Sequence, residues 1–239
     1  MLKMVLATAR DRARLKEITS VLIRYGLQDV LRLLGLGALL RGARAGSAQQ
    51  DAQTLPERLR EALEALGPTF VKFGQILATR SDLLDPAWTD ELDRLHSRAA
   101  VLPWETLAPQ IVADLGGEPE RLFAEFDRTP LAAASMAQIY RVRLHSGEQV
   151  VVKVLRPGLA KTIHADLRLL ASLAETVEQQ SPALARYRPR QMVRALATAL
   201  NHELDLTHEG HNCDRVAGMF AHQPDVVVPK IYWQWSSPR

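Results

Sequence analysis

The chain alternates between stretches where apolar residues recur every three or four positions and one stretch where they recur every second position. Residues 136–144 follow the second rule: Met136, Gln138, Tyr140, Val142 and Leu144 lie on one side, with Ala137, Ile139, Arg141 and Arg143 on the other. That pattern predicts a half-buried strand. Ser146, Gly147 and Glu148 supply a turn, and residues 150–155 (VVVKVL) read as a second strand whose one charge is Lys153. Helical spacing dominates elsewhere. Leu15, Ile18, Leu22 and Ile23 predict amphipathic helices within residues 1–45. Leu59, Leu63, Leu66, Phe70, Phe73 and Leu77 form a longer stripe, which starts at Leu55-Pro56 and is bent or restarted at Gly67-Pro68. Further helices are expected over 88–95, 105–115 (closed by Gly116-Gly117), 160–180 and 189–220, and a third strand over 226–235. A polar linker at 45–54 makes residues 1–50 an appendage, followed by a helical module over 51–120 and a mixed region over 121–239.

Composition narrows the class. The 239 residues suffice for a sizeable core, and 47% apolar content is ordinary for a folded protein. A lone cysteine, Cys213, excludes a disulfide framework within the chain and suits a reducing compartment. The net charge of +3 is unevenly placed: residues 1–60 hold 11 Lys/Arg against 5 Asp/Glu, and the remainder holds 19 against 22. An anionic membrane surface fits such an N-terminal excess better than nucleic acid does, and a solvated helix face explains it equally well. No stretch is long and apolar enough for a transmembrane helix, and charges at Arg10, Asp11, Arg12, Arg14, Lys16 and Glu17 interrupt any signal-peptide core. Either the mature protein faces the cytosol or any membrane anchor lies outside this sequence; the expected location is cytoplasmic, peripheral to the cytoplasmic face of the inner membrane.

Lys153 carries the first chemical question. A lysine in an apolar strand either reaches solvent or is paired, because an unpaired buried charge is costly. In front of it lies a loop of small residues, Ala132, Ala133, Ala134 and Ser135, whose main chain is open to close approach by phosphates. Glycine is usual in such loops; alanine excludes the positive φ angles that glycine allows. Residues 201–209 (NHELDLTHE) hold the densest polar cluster in the chain. Lys72 and Gln75 share a helix face beside Gly74, and a glycine inside a helix costs about 1 kcal/mol relative to alanine. That cost suggests close approach by another segment, although spacing alone favours a chance glycine among solvated neighbours. His208, His211 and Cys213 are a possible metal cluster, but no second ligand pair follows them, so a solvated helix surface is the favoured reading and no metal site is expected.

Taken together, Lys72-Phe73-Gly74-Gln75 (KxGQ), the Ala132–Ser135 loop, Lys153 in VVVKV and Glu203-Leu204-Asp205 (ExD) resemble the UbiB/ADCK family of atypical protein-kinase-like proteins of ubiquinone (coenzyme Q) biosynthesis. The flanking words at 78–84 and 228–233 are similar to it too, so the likeness spans about 55–235 in the right order. The resemblance implies an α+β fold: a helical KxGQ extension packed on a kinase-like N-lobe, a small antiparallel sheet with helices, with the C-lobe absent. It implies that Lys153 binds nucleotide phosphates, that Glu209 is its ion-pair partner, and that Ala132, Ala133, Ala134 and Ser135 line the nucleotide. Glu203 and Asp205 would face the cleft with Lys72 and Gln75. A single helix through 203–209 would turn Glu203 and Glu209 about 240° apart. ATP or ADP with magnesium is the implied cofactor, with the magnesium ligands outside this chain, because the catalytic-loop Asp, Asn and metal-binding Asp of kinases belong to a C-terminal lobe. The chain thus reads as a truncated N-terminal part, catalytically incomplete alone. Ala137 where glycine is common, Ser81 where proline is common and His96 where glutamine is common depart from the family pattern. The rival reading is a non-enzymatic membrane-surface or partner-binding module among lipid-biosynthesis proteins.

Overall fold

The computed structural model describes residues 9–34, 36–37, 53–95 and 100–239. In chain order the first elements are α1 (Ala9–Arg24), α2 (Gln28–Leu33), α3 (Leu55–Leu66), α4 (Pro68–Ala78), α5 (Pro86–Leu92), α6 (Trp104–Leu115) and α7 (Pro119–Leu122). They are followed by β1 (Glu125–Ala133), β2 (Ala137–Arg143), β3 (Gln149–Leu155), α8 (Leu159–Gln180), α9 (Pro182–Ala185), α10 (Pro189–Glu203) and α11 (Leu206–Met219). The chain divides into two units, Met1–Ser97 with Lys161–Thr198, and Arg98–Ala160 with Ala199–Arg239.

The first unit is helical. Thr54 opens α3 with a capping box: its hydroxyl accepts from the Glu57 N–H, and its own N–H donates to the Glu57 carboxylate at 2.7 Å. The bond from the Thr54 N–H first, and a second donated by its hydroxyl to the same carboxylate at 3.0 Å, hold the Glu57 carboxyl below its ordinary range. The apolar stripe restarts at Gly67, whose φ of 96° closes α3 and leads into Pro68 of α4. The core joins Leu15, Ile18, Leu22 and Leu31 to Leu63 and Leu66 of α3, Phe70 and Val71 of α4, Leu92 of α5 and Leu169 of α8. Full burial of one such side chain contributes about 1.5–3 kcal/mol, so the apolar faces of α1 and α2 are committed to this core. Ion pairs add direction. Arg14 donates to both oxygens of Asp166 (2.6 and 3.1 Å) and to the Leu66 carbonyl at 2.6 Å. Arg168 donates to the buried Asp11 at 2.6 Å. Most of the expected linker at 45–54 lies outside the described residues, as does His96.

The second unit is built on an antiparallel sheet in the order β1-β2-β3. Tyr140, Val152 and Val154 turn one face toward Leu107 and Ile111 of α6, with Trp104 and Phe126 alongside. The expected hairpin is β2 and β3, paired in register from Ala137↔Leu155 to Arg143↔Gln149. Three expectations need correction. The third strand is β1, not residues 226–235, which run as irregular chain into a single 3-10 turn at Trp233–Trp235. β1 hid its pattern because Pro130 and the charges at 125–128 break the alternation, and its register shifts on both sides of Pro130; proline is tolerated at a sheet edge. Ala132 and Ala133 belong to β1, and the Ala134 N–H bonds the Ala137 carbonyl at 2.8 Å, so the alanine loop is a tight hairpin turn at Ser135-Met136. None of these residues has a positive φ. Residues 189–220 are two helices, because Asp205 adopts an extended backbone and caps α11, accepting the Thr207 N–H at 3.0 Å. Aspartate at such a position competes with helix continuation. The angular argument separating Glu203 from Glu209 on one helix axis therefore does not apply.

Candidate functional site

The β2–β3 register sets Ile139 opposite Lys153, and the β1–β2 register sets Ala132 opposite Ile139. Directly paired residues project to the same sheet face, so Ala132, Ile139 and Lys153 form one cross-strand row on the side away from α6. Lys153 is not buried there. Its side chain is 38% exposed, and its Nζ donates to Glu209 Oε2 at 2.6 Å, with the glutamate 58% exposed. Both line a cavity of about 800 Å³ together with Val151, Cys213, Trp233 and Trp235, within the roughly 300–1,000 Å³ usual for small-molecule sites.

Beneath the alanine turn, the structure supplies two supports that the sequence did not flag. Gln138 is fully buried; its carbonyl oxygen accepts from the Leu102 N–H at 2.5 Å and its amide donates to the Tyr140 hydroxyl at 2.8 Å. Arg156 donates from Nε to the Ala134 carbonyl at 3.0 Å and from Nη2 to the Ala100 carbonyl at 2.7 Å. The turn is thus held at its carbonyl side. Residues 132–135 do not line the cavity.

The remaining candidate residues fall in both units. Asp205 accepts from the Thr207 hydroxyl at 2.6 Å as well as from its N–H, and these bonds, the hydroxyl's first, keep its carboxyl below the ordinary range. Asp205 is thus a carboxylate occupied in capping a helix. Glu203 ends α10 and is half-buried. Lys72 and Gln75 lie on α4 in the first unit, where the Gln75 amide donates to the Leu95 carbonyl at 3.4 Å. Gly74 between them is buried; a Cβ there would collide with Leu95 and come within 2.9 Å of Leu63. Close approach, not chance, accounts for this glycine. His208 stacks on His202 and His211 on Trp233. Among the described residues, no group of three or more His, Cys, Asp or Glu side chains could hold a metal ion. No helix among them is long and apolar enough to cross a membrane.

Residues 94–239 match the ABC1 atypical kinase-like domain. A curated relative from Pseudomonas paraeruginosa, "Probable protein kinase UbiB", is 39% identical over 236 residues, covering 95% of this chain and 44% of its own length. Its namesake from Xylella fastidiosa is 40% identical over 226 residues, covering 93% and 41%. A solved Mycobacterium tuberculosis chain, from a complex with erythromycin, aligns with a TM-score of 0.49 and 24% identity over 70% of this chain and 40% of that one. The chain spans less than half the length of these curated relatives. With more than half of its residues matching the domain, the chain belongs to the ABC1 atypical kinase-like family, alongside the UbiB proteins.

Proposed function

We propose that this chain forms the nucleotide-binding part of an atypical kinase or ATPase-like protein that supports ubiquinone biosynthesis. ATP or ADP, as its magnesium complex, would meet Lys153 on the open sheet face. The observation that carries this reading is the Lys153–Glu209 pair at 2.6 Å, exposed and facing a cavity. An exposed ion pair is worth about 0–1 kcal/mol, too little to justify a lysine in a valine strand by stability alone. A compact ammonium held in place by a carboxylate is, however, a ready partner for phosphate oxygens. Ala132 shares its row, and Ala133, Ala134 and Ser135 after it carry only small side chains in front of Arg156, leaving backbone that an anion could approach. Glu203, Asp205, Lys72 and Gln75 are assigned to the same chemistry by family likeness, and no step is derived for them. Magnesium would bring charge neutralisation to the phosphates.

The test is calorimetric titration of ATP and ADP, with and without magnesium, into this chain and into the chain continued to the length of its relatives. Micromolar binding of either nucleotide by the longer form is the expected result; absence of binding under every condition would refute the reading.

A second reading has its own observation. Arg10, Arg12, Lys16 and Arg24 are exposed on α1, while the apolar face of that helix is buried. Contact with the cytoplasmic face of the inner membrane would then be electrostatic, on the order of 1 kcal/mol per basic residue. Co-sedimentation with anionic vesicles should be lost at high salt and in a variant with these four residues changed to glutamate. Binding insensitive to both changes would rule the reading out.

A further inference from the structure

The helix that carries Glu209 has almost no core of its own. Of the 14 residues of α11, Gly210 is the one that is buried. What covers it is the segment that follows residue 229. A Cβ at Gly210 would come within 2.8 Å of Cη2 and 3.3 Å of Cζ2 of the Trp233 indole, and within 3.5 Å of Ile231. The same indole stacks on the His211 ring, with centroids 4.4 Å apart at 29°. Its Nε1–H donates to the Asp214 carboxylate at 2.7 Å. One side chain therefore grips residues 210, 211 and 214, the turn of helix directly after Glu209, by close packing, ring stacking and a hydrogen bond.

The neighbours of Trp233 hold the sheet side. The Tyr232 hydroxyl donates to Glu148, in the β2–β3 turn, at 3.2 Å. Trp235 packs on Phe123 with ring centroids 5.3 Å apart. Residues 231–235 are thus a strap running from the sheet to α11. An exposed ion pair cannot hold a helix in place by itself, whereas an aromatic ring with a packed edge, a stacked face and a satisfied N–H is a strong anchor.

We propose that Trp233 is the positioning residue of the Lys153–Glu209 pair: by seating on Gly210, stacking on His211 and bonding Asp214, it sets the rotation of α11 that aims Glu209 at Lys153. Its importance for nucleotide rests on the reading of that pair given above. The geometric claim does not.

The pairing can be read without nucleotide, from the acylation rate of Lys153 by an N-hydroxysuccinimide ester, followed residue by residue by mass spectrometry. Removing the carboxylate (Glu209→Gln) should raise this rate about two- to fivefold, the range expected for loss of an exposed pair. Gly210→Ala should raise it comparably, because the added methyl displaces the indole. Trp233→Phe, the mildest change, should raise it less. The double variant should resemble Trp233→Phe alone, because the shorter ring leaves room for the methyl. Additive effects, or a Lys153 rate unmoved by Gly210→Ala and Trp233→Phe, would overturn the proposal. ATP titration of the longer chain separates the two claims. If the acylation pattern holds while Lys153→Ala leaves ATP affinity intact, Trp233 positions the pair but the nucleotide reading falls. If Lys153→Ala abolishes binding and Gly210→Ala weakens it severalfold with rescue by Trp233→Phe, both stand.

Discussion

Two ion pairs of equal length serve the two units differently. Arg14 and Asp166 meet at 2.6 Å with side chains 10% and 1% exposed, and Arg14 also caps the Leu66 carbonyl. Lys153 and Glu209 meet at 2.6 Å with side chains 38% and 58% exposed. Distance alone would rank them as equals; solvent separates them. The first pair is desolvated and hydrogen-bonded on several sides, so removing one partner strands a charge. The second is screened, contributes little to stability, and remains within reach of a ligand. The buried pair fastens α1 to α8. The exposed one is aligned by the elements around it and left open.

The widest gap between the two should come from Asp166→Ala, which leaves Arg14 only the exposed Glu17 carboxylate at 2.9 Å and costs about 3 kcal/mol, the low end for breaking a buried pair. At roughly 2–4 °C per kcal/mol for a chain of this size, calorimetry should show a fall of about 10 °C; a loss under 2 °C would place this pair with the surface ones. Gly74→Ala probes the packing of the same unit. Overpacking costs about 1–3 kcal/mol and alanine returns about 1 kcal/mol of helix propensity, for a net loss near 1 kcal/mol in urea melts. A stabilised variant would mean that Leu95 and Leu63 yield freely.

Asp205→Ala should cost about 1 kcal/mol, a typical N-cap loss, and change the acid limb of stability in the second unit. The Asp205 carboxyl lies below its ordinary range in the folded chain, mainly through the Thr207 hydroxyl. Its contribution is therefore complete above the unfolded-state value and is lost as pH falls through the lower folded one. The variant and parent should converge in stability at acid pH and separate near neutrality; a constant difference would contradict the cap. Smallest of all on stability is Lys153→Ala, expected to cost under about 1 kcal/mol.

Much of the fold is legible in the amino-acid sequence. Long stripes such as 59–77 name their helices, because a 3.6-residue period sustained over several turns is the mark of one helix face turned to a core. The β2–β3 hairpin follows from period-2 alternation around a Ser-Gly turn. What escapes does so for physical reasons. β1 carries Pro130 and a run of charges, so its strand character shows only in its pairing with β2. Residues 226–235 look like a strand by composition, yet composition cannot supply a neighbour to pair with. The break at Asp205 is signalled, since Asp before Leu-Thr is a helix-cap sequence, but the apolar period on either side masks it. Lys153 with Glu209 can be paired from sequence only through family likeness. Trp233, Gln138 and Arg156 act through contacts between distant segments that no local pattern encodes; a glycine in mid-helix next to Glu209 is the one faint sign.

That the exposed pair is kept for ligand and the buried pair for stability is tested most directly by one paired measurement: ATP affinity and unfolding temperature together for Lys153→Ala, in the chain continued to the length of its relatives. The predicted result is a loss of affinity of about tenfold or more, equivalent to roughly 1.4 kcal/mol, with an unfolding temperature within about 2–4 °C of the parent. Undiminished ATP affinity, or a loss matched by a collapse of the unfolding temperature, would contradict it.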